Sequence, residues 1–174
     1  VRVMAGGRGS GNYLKSGGLN WRVLSGYWLS AGNGKGLTGA APSQKSAVIY
    51  RLLTPDESRR MVFETDADAT VLFGAALGDW QRQGYRFGTV GRRATLYRHG
   101  EPLIEKPLPS PTVGVKRRFT LERTPDALFI YLDDSTEPLL LYYIPASEKA
   151  PEPFICGFAV DQGVMTIDAI HFGD

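Results

Sequence analysis

The sequence contains little cysteine, little histidine and no long apolar run. Its single cysteine, Cys156, excludes an intrachain disulfide and any zinc site built on several cysteines. No stretch approaches the ~20 consecutive apolar residues that a membrane-spanning helix requires, so we expect no membrane span. With 20 basic and 18 acidic residues, the chain also lacks the positive excess that is typical of nucleic-acid binding.

Signals for helices are also nearly absent, whereas turn formers and aromatic residues are plentiful. The 174 residues include 21 glycines, 11 prolines, 8 phenylalanines, 8 tyrosines and 3 tryptophans, and 43% are hydrophobic. Four prolines between Glu101 and Pro111 exclude both a helix and a central strand there. We therefore expect this segment to be an extended connection that crosses an edge or an end of a sheet.

Glycine is concentrated near the N-terminus, because eleven of the 21 glycines lie between Gly6 and Gly39. This pattern predicts a flexible, glycine-rich leader over residues 1–20 and a single domain over residues 21–174. The segment 34–39, GKGLTG, has the glycine spacing of dinucleotide-binding sites. Pro42 follows where a helix would have to begin, so we interpret these residues as ordinary loop glycines.

Beyond the leader, short segments rich in β-branched and aromatic residues alternate with turn residues, which is typical of strands. The predicted strands are Trp21–Leu24, Tyr27–Leu29, Ala47–Leu53, Arg60–Thr65, Thr70–Ala75, Tyr85–Val90, Ala94–Arg98, Arg118–Glu122, Leu128–Asp133, Leu139–Ile144, Phe154–Val160 and Val164–Phe172. So many short strands in one domain indicate an all-β sandwich or barrel.

Alternation along these strands separates a core face from an outward face. We expect the outward face of one sheet to carry arginine, aromatic residues and threonine rather than the lysine and glutamate of an ordinary solvated surface. Such a face can stack sugar rings and bind hydroxyl groups. The candidate ligand-binding residues are Arg86, Arg93, Tyr97, Arg118, Phe129 and Tyr131, with Trp80 in a nearby loop as a stacking platform. Alternatively, the strand residues only cover each other or lie under the leader, and Trp80 caps one end of the core.

Three segments of the C-terminal two-thirds resemble the concanavalin A-like lectin/glucanase superfamily, in particular its laminin-G-like and 3-keto-disaccharide-hydrolase-like domains. These segments are GYRFGTVGRRATLYRHGEPLIEK, RRFTLERTPDALFIYLDD and GFAVDQGVMTIDAIHF. The opening Trp21–Trp28, WRVLSGYW, is similar to the first strands of such domains. The resemblance implies a jelly-roll sandwich of two antiparallel sheets whose concave sheet often binds carbohydrate, but it carries no catalytic residue.

One acidic segment leaves a hydrolase open. Laminarinase-type enzymes of this superfamily align carboxylates on one strand, and Glu64, Asp66 and Asp68 approach that pattern, with Asp68 one methylene shorter than glutamate. An acidic hairpin turn explains the same residues. Calcium supports loops in many members, and the segment 133–136 could contribute oxygens, although a turn explains it too. The sequence predicts no metal site and no cofactor.

Three functions therefore remain open. The first is a carbohydrate-binding domain of a larger secreted, periplasmic or surface protein, which would bind a poly- or oligosaccharide. The second is a glycoside hydrolase that uses Glu64 and Asp66, and the third is a structural or protein-interaction module.

Overall fold

Two antiparallel β-sheets form the architecture of the protein in a computed structural model that describes residues 13–31, 34–41, 45–52, 60–109, 114–124, 126–148 and 154–173. The described residues form fifteen strands and no helix. They therefore include no helix that is long and apolar enough to cross a membrane. The strands are β1 (Tyr13–Ser16), β2 (Leu19–Ser25), β3 (Tyr27–Ala31), β4 (Gly36–Ala40), β5 (Ala47–Leu52), β6 (Arg60–Thr65), β7 (Thr70–Ala76), β8 (Gly84–Val90), β9 (Arg93–Arg98), β10 (Glu101–Pro107), β11 (Arg117–Arg123), β12 (Ala127–Leu132), β13 (Leu140–Tyr143), β14 (Phe154–Val160) and β15 (Val164–Phe172).

The strands pair across long sequence separations. One sheet has eight strands in the order β1-β2-β5-β14-β7-β8-β9-β10, and the other has seven in the order β13-β12-β11-β6-β15-β4-β3. The C-terminal strands β14 and β15 lie in the interiors of the two sheets, beside β5 and β7 and beside β4 and β6. The predicted all-β sandwich of two antiparallel sheets is therefore confirmed.

Aromatic side chains join the two sheets at the centre of the core. Phe63 of β6 stacks on Phe119 of β11 with 5.6 Å between ring centroids, and it meets Phe158 of β14 edge-on at 5.3 Å. Trp21 of β2 packs against Phe158 at 6.0 Å. All four side chains are fully buried. Each such ring buries roughly 150–250 Å², so this cluster is a large part of the hydrophobic stabilisation that holds the sheets together.

A second apolar cluster lies on the outer face of the eight-stranded sheet. It consists of residues from the three central strands β5, β14 and β7, and Leu77 and Trp80 of the following loop pack against it. Its members are Val48, Tyr50, Leu72, Ala75, Ile155 and Ala159, all at most 8% exposed. The centre of this outer face is therefore closed to a ligand.

Every predicted strand corresponds to an observed strand whose described ends differ by at most two residues. The leader predicted over residues 1–20 differs, because Tyr13–Ser16 forms β1 and pairs with β2, which begins at Leu19. The sandwich thus includes residues before Trp21, while residues 1–12 lie outside the described part of the chain. The sequence did not predict β1 because the segment has a low apolar content. Among its four residues, only Leu14 is a buried hydrophobic residue.

The segment interpreted as loop glycines is also a strand. Gly36–Ala40 forms β4, which lies between β15 and β3. A Cβ at position 39 would lie 2.5 Å from the indole ring of Trp28, and a Cβ at position 36 would collide with the carbonyl oxygen of Ile167. These glycines therefore permit close approach within the sandwich, a use that their spacing alone does not reveal.

The proline-rich segment forms β10 at the edge of the eight-stranded sheet, as expected of an extended segment that cannot occupy a central position. Its pairing with β9 contains an irregularity between Pro102 and Ile104. Prolines and a bulge on an edge strand also hinder further strand addition.

We expect Gly39→Ala to destabilise the protein by about 1–3 kcal/mol, because the added methyl group overlaps a fully buried ring. The Trp28 ring cannot easily shift, since its Nε1 donates a hydrogen bond to the carbonyl oxygen of Ser25 at 3.1 Å. Urea unfolding followed by tryptophan fluorescence measures the change. Gly78→Ala is the matched control, because nothing lies within 4 Å of its added Cβ, and a similar loss there would contradict the packing argument.

Candidate functional site

The predicted ligand-binding residues lie on two opposite faces of the sandwich rather than on one. Strand β12 carries Phe129 and Tyr131 on the outer face of the seven-stranded sheet, beside Arg118 of β11. The expectation that one sheet carries the whole set is wrong, because Arg86, Arg93 and Tyr97 lie on β8 and β9 of the other sheet.

On the eight-stranded sheet, the predicted ligand-binding residues contact each other or a neighbouring strand. The guanidinium of Arg86 lies 4.5 Å from the ring centroid of Tyr97. Arg93 forms an ion pair with Glu105 of β10 at 2.9 Å. Trp80 packs on the outer apolar cluster described above and is partly buried there. Mutual coverage, the alternative left open by the sequence, describes Arg86 and Tyr97 best.

A groove of about 330 Å³ lies on the outer face of the seven-stranded sheet. Its floor comes from the adjacent strands β6 and β11, and one wall comes from Tyr131 of β12 and the turn at Asp133, Asp134 and Ser135. The floor residues are Arg60, Val62, Arg118, Thr120 and Glu122. Alternation explains their position, since Met61, Phe63, Phe119 and Leu121 between them point into the core.

Tyr131 supplies the aromatic part of the groove wall, and Phe129 lies beside it on the same strand. Their rings are nearly parallel, with an interplanar angle of 9° and 6.3 Å between centroids. Both side chains are partly exposed, although they stand on a strand whose other face is buried. Half-exposed aromatic rings beside hydroxyl groups and charges offer an apolar surface to a sugar ring and polar partners to its hydroxyl groups.

The charged side chains of this groove are paired across it. Arg118 forms an ion pair with Asp134, and its backbone N–H donates to Asp133 Oδ1 at 3.0 Å. Asp133 adopts a left-handed φ of 52°, which turns the chain after β12 towards Arg118. Near the other end, Arg60 Nε lies 3.5 Å from Glu122 Oε1. The side chains of Arg118, Arg60 and Glu122 are 38–40% exposed. Their hydrogen-bonding groups therefore remain available to a ligand.

The acidic segment does not form a row of aligned carboxylates. Strand β6 ends at Thr65, so Glu64 alone stands on the strand face, next to the groove. Asp66 lies in the following turn, and Asp68 accepts the backbone N–H of Gly91 at 2.9 Å. The alternation that aligns carboxylates in laminarinase-type enzymes is therefore missing here, and the turn interpretation fits these two residues.

Asp168 is the carboxylate that sequence reasoning missed. It pairs with Glu64 across β15 and β6 and lies on the same outer face. Lys116 Nζ donates a hydrogen bond to Asp168 Oδ2 at 2.8 Å. This hydrogen bond and the charge of the carboxylate raise the pKa of Lys116. Because Glu64 and Asp168 are separated by about a hundred residues, only the strand pairing reveals their proximity.

Acidic and histidine side chains do not form a metal centre in the described part of the chain. No group of three or more histidine, cysteine, aspartate or glutamate residues has a suitable arrangement there. In the segment 133–136, which could supply oxygens to calcium, Asp133 contacts Arg117 at 3.5 Å and Asp134 pairs with Arg118. These arginines occupy the carboxylates that a calcium ion would require.

A partly buried polar network joins the two sheets. Glu148 accepts the hydroxyl of Tyr85 at 2.8 Å and lies 3.3 Å from both Arg98 and His99. Arg98 also donates to the hydroxyl of Tyr142 at 2.7 Å. The pKa of Tyr85 is raised, first by burial and then by its hydrogen bond to Glu148. Because the network joins β8 and β9 of one sheet to β13 of the other, we interpret it as structural.

With this geometry established, three solved structures can be compared with the chain. The carbohydrate-binding module CBM66 from Bacillus subtilis has a TM-score of 0.61 at 16% identity, covering 88% of this chain and 95% of that one. A protein of unknown function with a galectin-like fold from Bacillus subtilis has a TM-score of 0.61 at 11% identity, covering 86% of this chain and 89% of that one. Bacillus licheniformis β-glucanase has a TM-score of 0.57 at 10% identity and coverages of 93% and 97%.

The chain has the concanavalin A-like jelly-roll fold. The fold implied by the sequence resemblance is thereby confirmed, and the neighbours match nearly their whole lengths. No protein-family model matches the chain, and no curated protein matches it. At 10–16% identity these neighbours establish the fold alone, and their names describe a binding module, a protein of unknown function and an enzyme.

The raised pKa of Tyr85 predicts a loss of stability at high pH. Above pH ~10 the unfolded chain releases this proton while the folded chain retains it, so the free energy of unfolding falls by up to about 1.4 kcal/mol per pH unit. Urea unfolding between pH ~9 and ~11 measures this slope. Tyr85→Phe removes the titrating group, so its slope should be shallower by that amount. Equal slopes in both proteins would contradict the prediction.

Proposed function

We propose that the chain is a carbohydrate-binding domain whose saccharide ligand lies in the groove between Arg118 and Tyr131. The observation that carries the proposal is the combination, in one open groove of about 330 Å³, of an aromatic wall with half-exposed paired charges. A sugar ring presents an apolar face and several hydroxyl groups, which require these two kinds of partner together.

The two outer faces support this placement by contrast. On the eight-stranded sheet, the central strands are covered by Trp80 and Leu77, so a ligand would meet a closed apolar surface. On the seven-stranded sheet, the central strands β11 and β6 expose Arg118, Glu122 and Arg60. Similarity in fold to a carbohydrate-binding module adds support for a saccharide as ligand. We also propose that the protein is secreted, periplasmic or on the cell surface, because polysaccharides occur there. We further propose that the chain is one domain of a larger protein.

A glycan array that includes neutral and acidic saccharides tests the proposal, with affinities then measured by titration calorimetry. We expect Arg118→Ala to weaken binding about ten- to hundredfold, because one charge-assisted hydrogen bond contributes roughly 1.5–3 kcal/mol. Tyr131→Ala should weaken binding by at least about fivefold, since a ring contact contributes roughly 1 kcal/mol.

The matched controls are Arg93→Ala and Tyr97→Ala, which remove the same kinds of side chain from the opposite sheet. Both should bind as tightly as the parent protein, and the unfolding curves should show that all four variants fold. Loss of binding in the controls alone would move the site to the eight-stranded sheet. Absence of binding across the array would overturn the proposal and favour a structural or protein-interaction role.

One observation supports the hydrolase alternative. Glu64 and Asp168 are direct neighbours across antiparallel strands, so their carboxyl groups lie side by side on the outer face. Retaining glycosidases hold their two carboxyl groups at about 5–5.5 Å. This pair replaces Glu64 and Asp66 as the best candidate for catalysis, although Lys116 is bound to Asp168.

A hydrolase that uses this pair should release reducing ends from a polysaccharide panel. We expect Glu64→Gln to reduce such release at least about a hundredfold, because one of two reacting carboxyl groups is lost. Asp66→Asn is the matched control, since Asp66 lies in the turn after β6 and should be dispensable. If the parent protein releases no reducing ends from any ligand that it binds, the hydrolase alternative is excluded for that ligand.

A further inference from the structure

Strand pairing creates an uncharged surface on the outer face of the seven-stranded sheet, across β3, β4 and β15. It consists of two rows of cross-strand neighbours. One row is Tyr27, Ala40 and Val164, and the other is Leu29, Thr38 and Thr166. Alternation directs all six side chains outward, because Trp28, Leu37 and Met165 between them are buried in the core. We call these six residues the platform.

The platform exposes apolar groups to solvent. The side chains of Tyr27, Leu29 and Val164 are 53%, 44% and 68% exposed. Strands β3 and β4 contain no charged residue, and β15 contains none before Asp168. Single exposed apolar residues are ordinary on protein surfaces, but several of them side by side on one face of a sheet indicate a contact surface.

Two threonine hydroxyl groups lie among these apolar side chains. Thr38 Oγ1 and Thr166 Oγ1 are hydrogen-bonded to each other at 2.9 Å. Each hydroxyl group has one hydrogen to donate and two lone pairs, so the bonded pair retains one donor and further acceptors. Both residues are partly exposed, so a ligand can reach these groups. An aromatic ring, aliphatic groups and hydroxyl groups without charge are the partners that a neutral sugar requires.

The platform lies on the same face of the same sheet as the groove between Arg118 and Tyr131. Arg118 is opposite Glu64, and Glu64 is opposite Asp168 of β15. Thr166 of the platform lies two residues before Asp168, on the same face of that strand. Neighbouring strands lie about 4.8 Å apart, so four strand spacings place β3 about 19 Å from Arg118, measured across the strands. A ligand that reaches both places must extend over several sugar rings.

The surface between the groove and the platform can bind hydroxyl groups. It carries Glu64 and Asp168, and Lys116 Nζ lies 2.8 Å from Asp168 Oδ2. Carboxylates accept hydrogen bonds from sugar hydroxyl groups, and the ammonium group donates to them. A neutral chain therefore finds partners along the whole path, whereas an anionic chain would pass two carboxylates.

We propose that the platform is a second part of the carbohydrate site and that the ligand is a neutral polysaccharide, bound along its chain rather than at one terminal sugar. This inference rests on the function proposed above and specifies its ligand class. Tyr131 contacts one sugar ring of the chain, and Tyr27 contacts another several rings away. A second copy of the protein fits less well, because a specific interface takes about 20–30 residues from each partner and the platform has only six.

Titration calorimetry with disaccharides and hexasaccharides prepared from neutral glucans, mannans, xylans, galactans and fructans tests this proposal. In the series that binds, the hexasaccharide should bind at least about tenfold more tightly than the disaccharide, since it adds a ring contact and a hydrogen bond. Tyr27→Ala should weaken hexasaccharide binding about three- to tenfold and leave disaccharide binding unchanged. Tyr131→Ala should weaken the binding of both.

Tyr13→Ala is the matched control, because Tyr13 is similarly exposed, at 51%, but lies on β1 of the other sheet. It should bind both lengths as the parent protein does, and an equal loss in Tyr13→Ala and Tyr27→Ala would contradict a contact at the platform. Tyr27→Phe keeps the ring and should keep the affinity for the hexasaccharide. A loss as large as that of Tyr27→Ala would contradict a contact through the ring. Unfolding curves verify that all the variants fold.

The outcomes separate this inference from the proposed function. Equal affinity for the two lengths, with binding still lost in Tyr131→Ala, would overturn the role of the platform alone. Binding of acidic saccharides only would overturn the assignment to a neutral polysaccharide, and absence of any saccharide binding would overturn the proposed function together with this inference. Sedimentation should show a monomer for the parent protein. A dimer that dissociates in Tyr27→Ala would show that a second copy covers the platform, and the proposal would be wrong.

Discussion

The pairing register of β6 is the constraint on which the outer face of the seven-stranded sheet depends. Phe63 points inward, where it stacks on Phe119 and meets Phe158 of the other sheet. Because side chains alternate along a strand, the buried ring directs its neighbours Val62 and Glu64 outward. A slip by one residue would bring Glu64 into the core and Phe63 into water, at a cost that the core does not tolerate. The aromatic cluster therefore fixes both the fold and the positions of the polar groups in the groove.

The same register explains how far sequence reasoning could reach. Alternation within one strand is a local property, so the burial of Phe119 and Leu121 and the exposure of Arg118 could be predicted directly. Sheet membership depends instead on pairing between distant segments. Nothing local to Tyr97 and Tyr131 places them on opposite sheets, and the proximity of Asp168 to Glu64 has the same long-range origin. The face of each side chain was therefore predictable, whereas the grouping of the faces was not.

Glycine shows a second limit of local reasoning. Around position 36 the sequence has the composition of a loop, yet the segment forms a strand inside the seven-stranded sheet. Its glycines are required because the ring of Trp28 and the backbone of Ile167 approach closely. A glycine that permits a turn and one that admits a neighbouring group look identical in sequence. Only the identity of the neighbour distinguishes them, and that neighbour is set by the tertiary fold.

The charges of the groove between Arg118 and Tyr131 are balanced, and this balance has consequences for specificity. In the groove between Arg118 and Tyr131, arginines are paired with Asp134 and Glu122, so the local charge is nearly neutral and donors lie beside acceptors. Such a surface favours neutral hydroxyl groups, which can both donate and accept, and it disfavours an anion that would repel the carboxylates.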